Sequence, residues 1–223
     1  MKKFLFLLLC LTLCGCSQVK EANPKEPTPS QNDKEVVELI PNDKYEEPLN
    51  SYSEMNEAYN ALTNAIQAGD AQQEATEVAR SFAFDFFTLA NKKSSEDVGG
   101  LQFIPSVNIR QYQEYAESYY YANYGVIVNE YSKKDLPKVI DVEVVHVEPA
   151  SYTYYNSLCD GYDVTLKVTY DTTKLDASML KTSMIVSVIN IFDYDFSRDY
   201  NYQDAATVFE GEMKDCWRVL ALE

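Results

Sequence analysis

From residue 51 the apolar positions recur at the spacing of a helix surface. Tyr52, Met55, Tyr59, Leu62 and Ile66 fall on one stripe. Ser51 followed three residues later by Glu54 has the form of a capping box. Gly69 supplies a stop and Asp70 a cap for a second helix over about 71–91, whose stripe is Ala75, Val78, Phe82, Phe86 and Leu89. Asp85 lies seven residues past Val78 and so inside that apolar arc, where a carboxylate must find donors or lose its charge. The pattern breaks at 97–100, and 101–104 before Pro105 is expected as a short strand. A third helix over 107–124 turns Ile109, Tyr112, Tyr115, Ala116, Tyr119 and Ala122 inward, with Gly125 as its terminator.

Beyond Gly125 the period changes to two. Residues 138–148 alternate with Ile140, Val142, Val144 and His146 on one face, and Tyr162, Val164, Leu166, Val168 and Tyr170 alternate more cleanly. Residues 182–193 are apolar on both faces, as an interior strand requires. Segments 206–213 and 216–222 read as two strands joined near Lys214 and Asp215. Helices first and strands afterwards make an α+β class: three N-terminal helices packed on a curved antiparallel sheet of four to five strands.

The amino terminus has a separate logic. Lys2 and Lys3 precede an apolar run over 4–13 interrupted by Thr12, and Leu13-Cys14-Gly15-Cys16 follows at once. The run is shorter than the roughly 20 residues that span a bilayer, so it reads as a secretory signal. Leu13, Gly15 and Cys16 resemble the lipobox of bacterial lipoproteins. That resemblance implies cleavage before Cys16 and its acylation, with palmitate among the chains, and a protein anchored by lipid at the extracytoplasmic face of the cell membrane. Cys10 and Cys14 compete weakly as cleavage positions, and an ordinary soluble secretory signal is the alternative.

Residues 17–50 hold five of the eight prolines, Pro24, Pro27, Pro29, Pro41 and Pro48, among Lys, Glu, Asn, Ser and Thr. Such a composition predicts a solvated tether, with Val36 to Ile40 its one apolar patch. The expected organisation is a signal over 1–16, a flexible tether over 17–50 and a single α+β domain over 51–223.

Within that domain, Asp85-Phe86-Phe87-Thr88, Asn91-Lys92 and Gly99-Gly100-Leu101-Gln102 resemble the helical half of the cone-shaped nuclear transport factor 2-like superfamily. Trp217-Arg218-Val219 is similar to the closing strand of such domains. The likeness implies a cone-like fold with a cavity between helices and sheet, for which Asp85, His146, Tyr112 and Tyr119 are the candidate lining residues. An unrelated helix-plus-meander fold is the alternative.

Charge narrows the partners. The 223 residues carry a net charge of −16, more negative still once Lys2 and Lys3 leave with the signal, so no nucleic acid is expected. No phosphate loop, zinc-protease helix or nucleophile elbow occurs, and a single His leaves little for a metal site or a Ser-His-Asp system. No metal and no cofactor are expected. Asp193, Asp195, Asp199, Asn201 and Asp204 invite a calcium loop, but Arg198 stands where the sharp-turn Gly belongs, so a solvated acidic loop is the reading preferred. Cys159 and Cys216 remain besides Cys16. They could oxidise to a disulfide outside the cytoplasm, but nothing in the sequence fixes their distance, so two independent buried thiols are the reading preferred.

Three functions then stand. The first is a non-catalytic interaction module tethered in the envelope, with the membrane and an unidentified envelope protein or ligand as partners. The second is a small-ligand binder using the cone cavity. The third is an acid–base enzyme in which Asp85 and His146 meet.

Overall fold

The computed structural model describes residues 37–171, 174–202 and 211–223, the side chain of residue 177 apart. Four α-helices, α1 (Ser53–Ala68), α2 (Ala71–Phe87), α3 (Ile109–Tyr119) and α4 (Tyr124–Glu130), precede four strands, β1 (Val139–Tyr154), β2 (Ser157–Tyr170), β3 (Ser183–Tyr194) and β4 (Met213–Leu222). The class is α+β, and the strands form one antiparallel meander in the order β1-β2-β3-β4.

α2 is the central element. It packs against α1 on one side and touches all four strands on the other. Ala75, Ala79 and Ala83 let those neighbours approach, while Phe82 and Phe86 stack at 5.3 Å and fill the interior. Gly69, in the left-handed conformation at φ 65°, ends α1, and the Asp70 side chain accepts from the Gln73 N–H to start α2. At the start of α1 the expectation fails. Tyr52, not Ser51, is the N-cap, with no side-chain cap bond.

The domain also begins earlier than Ser51. Asn60 accepts from the Ile40 N–H at 2.8 Å, Asn56 donates to the Val37 carbonyl at 2.6 Å, and Tyr45 is buried in the core. The Tyr45 hydroxyl accepts from the Trp217 N–H at 2.9 Å and lies 3.1 Å from the Trp217 carbonyl. It therefore covers part of the outer edge of β4, which would otherwise be unpaired. A proline-rich composition thus conceals a strap over 37–50 that is integral to the fold; residues 17–36 lie outside the described residues.

Three further expectations change. Residues 101–103 form a short 3-10 turn rather than a strand. The third helix stops at Tyr119 because the Tyr120 and Tyr121 N–H groups both turn back to the Ala116 carbonyl, which drives Tyr121 into the core. Gly125 then sits inside α4 instead of ending a helix. Segment 213–222 is one continuous strand running through Lys214 and Asp215; 206–210 lies outside the described residues.

β3 lies between β2 and β4 and is buried on both faces from Val186 to Ile189, as its apolar run predicts. In β1 a bulge after Val144 breaks the alternation, so Val147 packs on the core and His146 points to solvent.

Candidate functional site

Two buried ion pairs sit beneath the helices. Asp85 Oδ1 accepts from Lys92 Nζ at 2.6 Å, and Asp85 Oδ2 accepts from the Gly100 N–H at 2.9 Å and from Gln102 Nε2 at 3.2 Å. Burial pushes the Asp85 carboxyl up. The Lys92 charge and these hydrogen bonds together outweigh it and hold the group below the usual carboxylate range. Two glycines permit the arrangement. A Cβ at Gly99 would strike Asp85 and Lys92, while Gly100 holds φ 77° against the Phe82 ring.

The second pair joins β3 to β4. Arg218, 1% exposed, donates through Nε to Asp193 Oδ2 at 2.9 Å and through its terminal nitrogens to the Gln102 and Tyr194 carbonyls. Ser106 completes the carboxylate with its N–H and its hydroxyl. Gln102 ties the two pairs together, its side chain serving Asp85 and its carbonyl serving Arg218. Asp193 therefore belongs to the interior and not to a solvated acidic loop; Asp204 lies outside the described residues. Among the described residues no group of three His, Cys, Asp or Glu side chains could hold a metal ion.

Asp85 and His146 are not brought together. All the hydrogen bonds of Asp85 go to Lys92, Gly100 and Gln102, whereas His146 is exposed on the outermost strand β1. A third polar cluster, in which the Tyr152 and Ser187 hydroxyls both donate to Asp163, is likewise closed on itself.

A neutral open cavity lies elsewhere. It has a volume of about 390 Å³ and runs between β4 at 219–222 and the N-terminal part of α3. Tyr112, Tyr115, Tyr120 and Tyr154 supply aromatic walls, Asn108 and Gln111 supply carboxamides, and no charged side chain among the described residues lines it. Of the expected lining residues Tyr112 is present. Asp85, His146 and Tyr119 are not, and Tyr119 is 69% exposed and stacks on Tyr115.

The Tyr112 hydroxyl is buried behind this wall with no hydrogen-bond partner among the described residues. Tyr154 donates to Asn108 Oδ1 at 2.7 Å. Ile185 and Glu223 exchange both backbone hydrogen bonds, so the N–H and C=O of Leu222 point away from β3. The cavity was missed in the sequence because Asn108 and Gln111 bear no signature, though the tyrosine density of 112–121 marks its neighbourhood.

The two cysteines are free. Cys159 is on β2 and Cys216 on β4, with β3 between them, a separation of about two strand spacings of ~4.8 Å that exceeds disulfide reach. Burial pushes the Cys216 thiol up to about 11.

No protein-family model, curated protein or solved structure matches the chain.

Proposed function

We propose that the chain is a lipid-anchored protein of the cell envelope, held through Cys16 at the outer face of the membrane, whose cone-like domain is a non-catalytic interaction module. The observation that carries this reading is the division of polar chemistry in the interior. Asp85, Lys92, Asp193 and Arg218 are closed in ion pairs that join helices, loops and sheet, while the open cavity beside α3 is neutral and aromatic. A site that moves protons needs a titratable group facing the substrate. A site that binds needs shape and a few converging polar groups, which is the make-up of this cavity. The lipobox resemblance of Leu13, Gly15 and Cys16 supports the anchor.

The test has two arms. Cells expressing the chain with Cys16→Ser should release it from the membrane fraction, and fatty-acid labelling should disappear with that substitution. The intact protein extracted in mild detergent should co-purify with a partner in an amount that falls when Tyr115→Ala alters the cavity rim. Labelling that persists in Cys16→Ser would overturn the anchor, and turnover of a substrate dependent on Asp85 would overturn the non-catalytic reading.

A second reading, small-ligand binding, is favoured by one feature, the Asn108 and Gln111 carboxamides set among the tyrosine rings of the cavity wall.

A further inference from the structure

We infer that the cavity between α3 and the edge of β4 is a binding site for a neutral saccharide. This rests on the reading of the chain as a binding module and specifies what the module recognises.

The first argument is electrostatic. In a chain of net charge −16 no charged side chain among the described residues lines the cavity. An ionic ligand would lose its hydration here with no counter-charge to replace it, so the occupant is neutral.

The second argument concerns hydrogen bonds. Carboxamides stand among the tyrosine rings of the wall, Asn108 and Gln111, each offering both donors and an acceptor. An acyl chain or hydrocarbon would displace the water these groups hold and replace none of its hydrogen bonds. A flat heterocycle offers polar atoms at a few edge positions. A pyranose carries hydroxyls around its whole perimeter, each both donor and acceptor.

The third argument is the aromatic surface. Tyr115 and Tyr120 are 49% and 43% exposed at the rim, and Tyr115 is braced by its contact with Tyr119 at 4.5 Å. The apolar C–H face of a sugar ring packs on such a surface while its hydroxyls reach the polar groups behind it. At about 390 Å³ the cavity lies toward the small end of the range for small-molecule sites, roughly 300–1,000 Å³, which suits a short saccharide.

The edge of β4 also invites an added peptide strand. A bulge between Val219 and Ala221 breaks the regular spacing of its outward backbone groups, and Tyr45 already covers the edge at Trp217, which disfavours that occupant.

The experiment uses the full chain in a detergent with no sugar headgroup. Glucose, N-acetylglucosamine and their β-1,4-linked disaccharides are titrated by saturation-transfer NMR up to roughly 10 mM, ten times a Kd of about 1 mM. At least one probe should bind saturably through its ring C–H protons. Gln111→Ala, which removes an exposed carboxamide at the cavity wall, should weaken binding about five- to ten-fold with the Tm unchanged, and Tyr115→Ala should abolish it. Absence of saturable binding by all four probes would overturn the inference while leaving the interaction module standing. So would binding that neither substitution alters, or displacement of the sugar by an uncharged extended peptide that shifts the Leu222 amide.

Discussion

Replacing Asp85 by Asn removes one charge from a buried ion pair. Lys92, 3% exposed, then keeps an ammonium with no counter-charge. Breaking a buried pair by deleting one partner costs about 3–5 kcal/mol. That is a large part of the roughly 5–15 kcal/mol that holds a domain folded. The assay is urea denaturation followed through the fluorescence of Trp217, the only tryptophan in the chain and a buried one. At pH 7 the loss should be about 3–5 kcal/mol. Because the folded-state pKa of Asp85 is depressed, its stabilisation is fully present above the unfolded value near ~3.9 and is lost as pH falls through the folded value. The gap between wild type and Asp85→Asn should therefore close below pH ~4. Adding Lys92→Met to Asp85→Asn should recover much of the loss by removing the orphaned charge. A loss at pH 7 below ~1 kcal/mol, the worth of a surface pair, would refute the reasoning, as would a gap that does not narrow in acid.

Other expectations follow from the same geometry. Tyr45→Phe leaves the outward N–H of Trp217 without its acceptor and should cost about 1–3 kcal/mol in the same denaturation assay; a neutral result would return 37–50 to the role of a tether. A maleimide at pH 8 should modify Cys159 rapidly and Cys216 only on unfolding, because burial shields that thiol and raises its pKa to about 11; modification of both at equal rates would contradict the placement of Cys216. Arg218→Met should be tolerated better when Asp193→Leu is present than alone, since the single change strands the Asp193 carboxylate, and a double-mutant cycle in thermal unfolding reads the difference.

Local periodicity made much of this fold legible. The stripes of α1 and α2, the stop at Gly69, the cap at Asp70 and the two-sided apolar run of β3 are short-range signals, each read within about one element. Asp85 was legible as a carboxylate in need of donors, one of which is the Gly100 N–H, but the second ion pair was not, for the opposite reason. Asp193 and Arg218 meet only because β3 and β4 pair in one register, and nothing near Asp193 in the sequence distinguishes it from its solvated neighbours Asp195 and Asp199. Tyr45 was hidden by composition, although it is the one aromatic residue in 17–50, which is a usable signal for a docking point. His146 was misplaced by a single bulge, since a shift of one residue in a strand exchanges its faces. Tyr119, expected inward, is exposed because the turn after it sends Tyr121 into the core instead, where its hydroxyl donates to the Phe86 carbonyl at 2.6 Å.

If the neutral cavity beside α3 is the working surface of a lipid-tethered module, photo-crosslinking in intact cells should detect its occupant, with a photoreactive residue placed at Tyr115 on the cavity rim or at Glu57, exposed on α1. A discrete adduct is expected from position 115, none from position 57, and loss of the adduct when Cys16→Ser frees the chain from the membrane. Adducts of equal yield from both positions, or from position 57 alone, would contradict it.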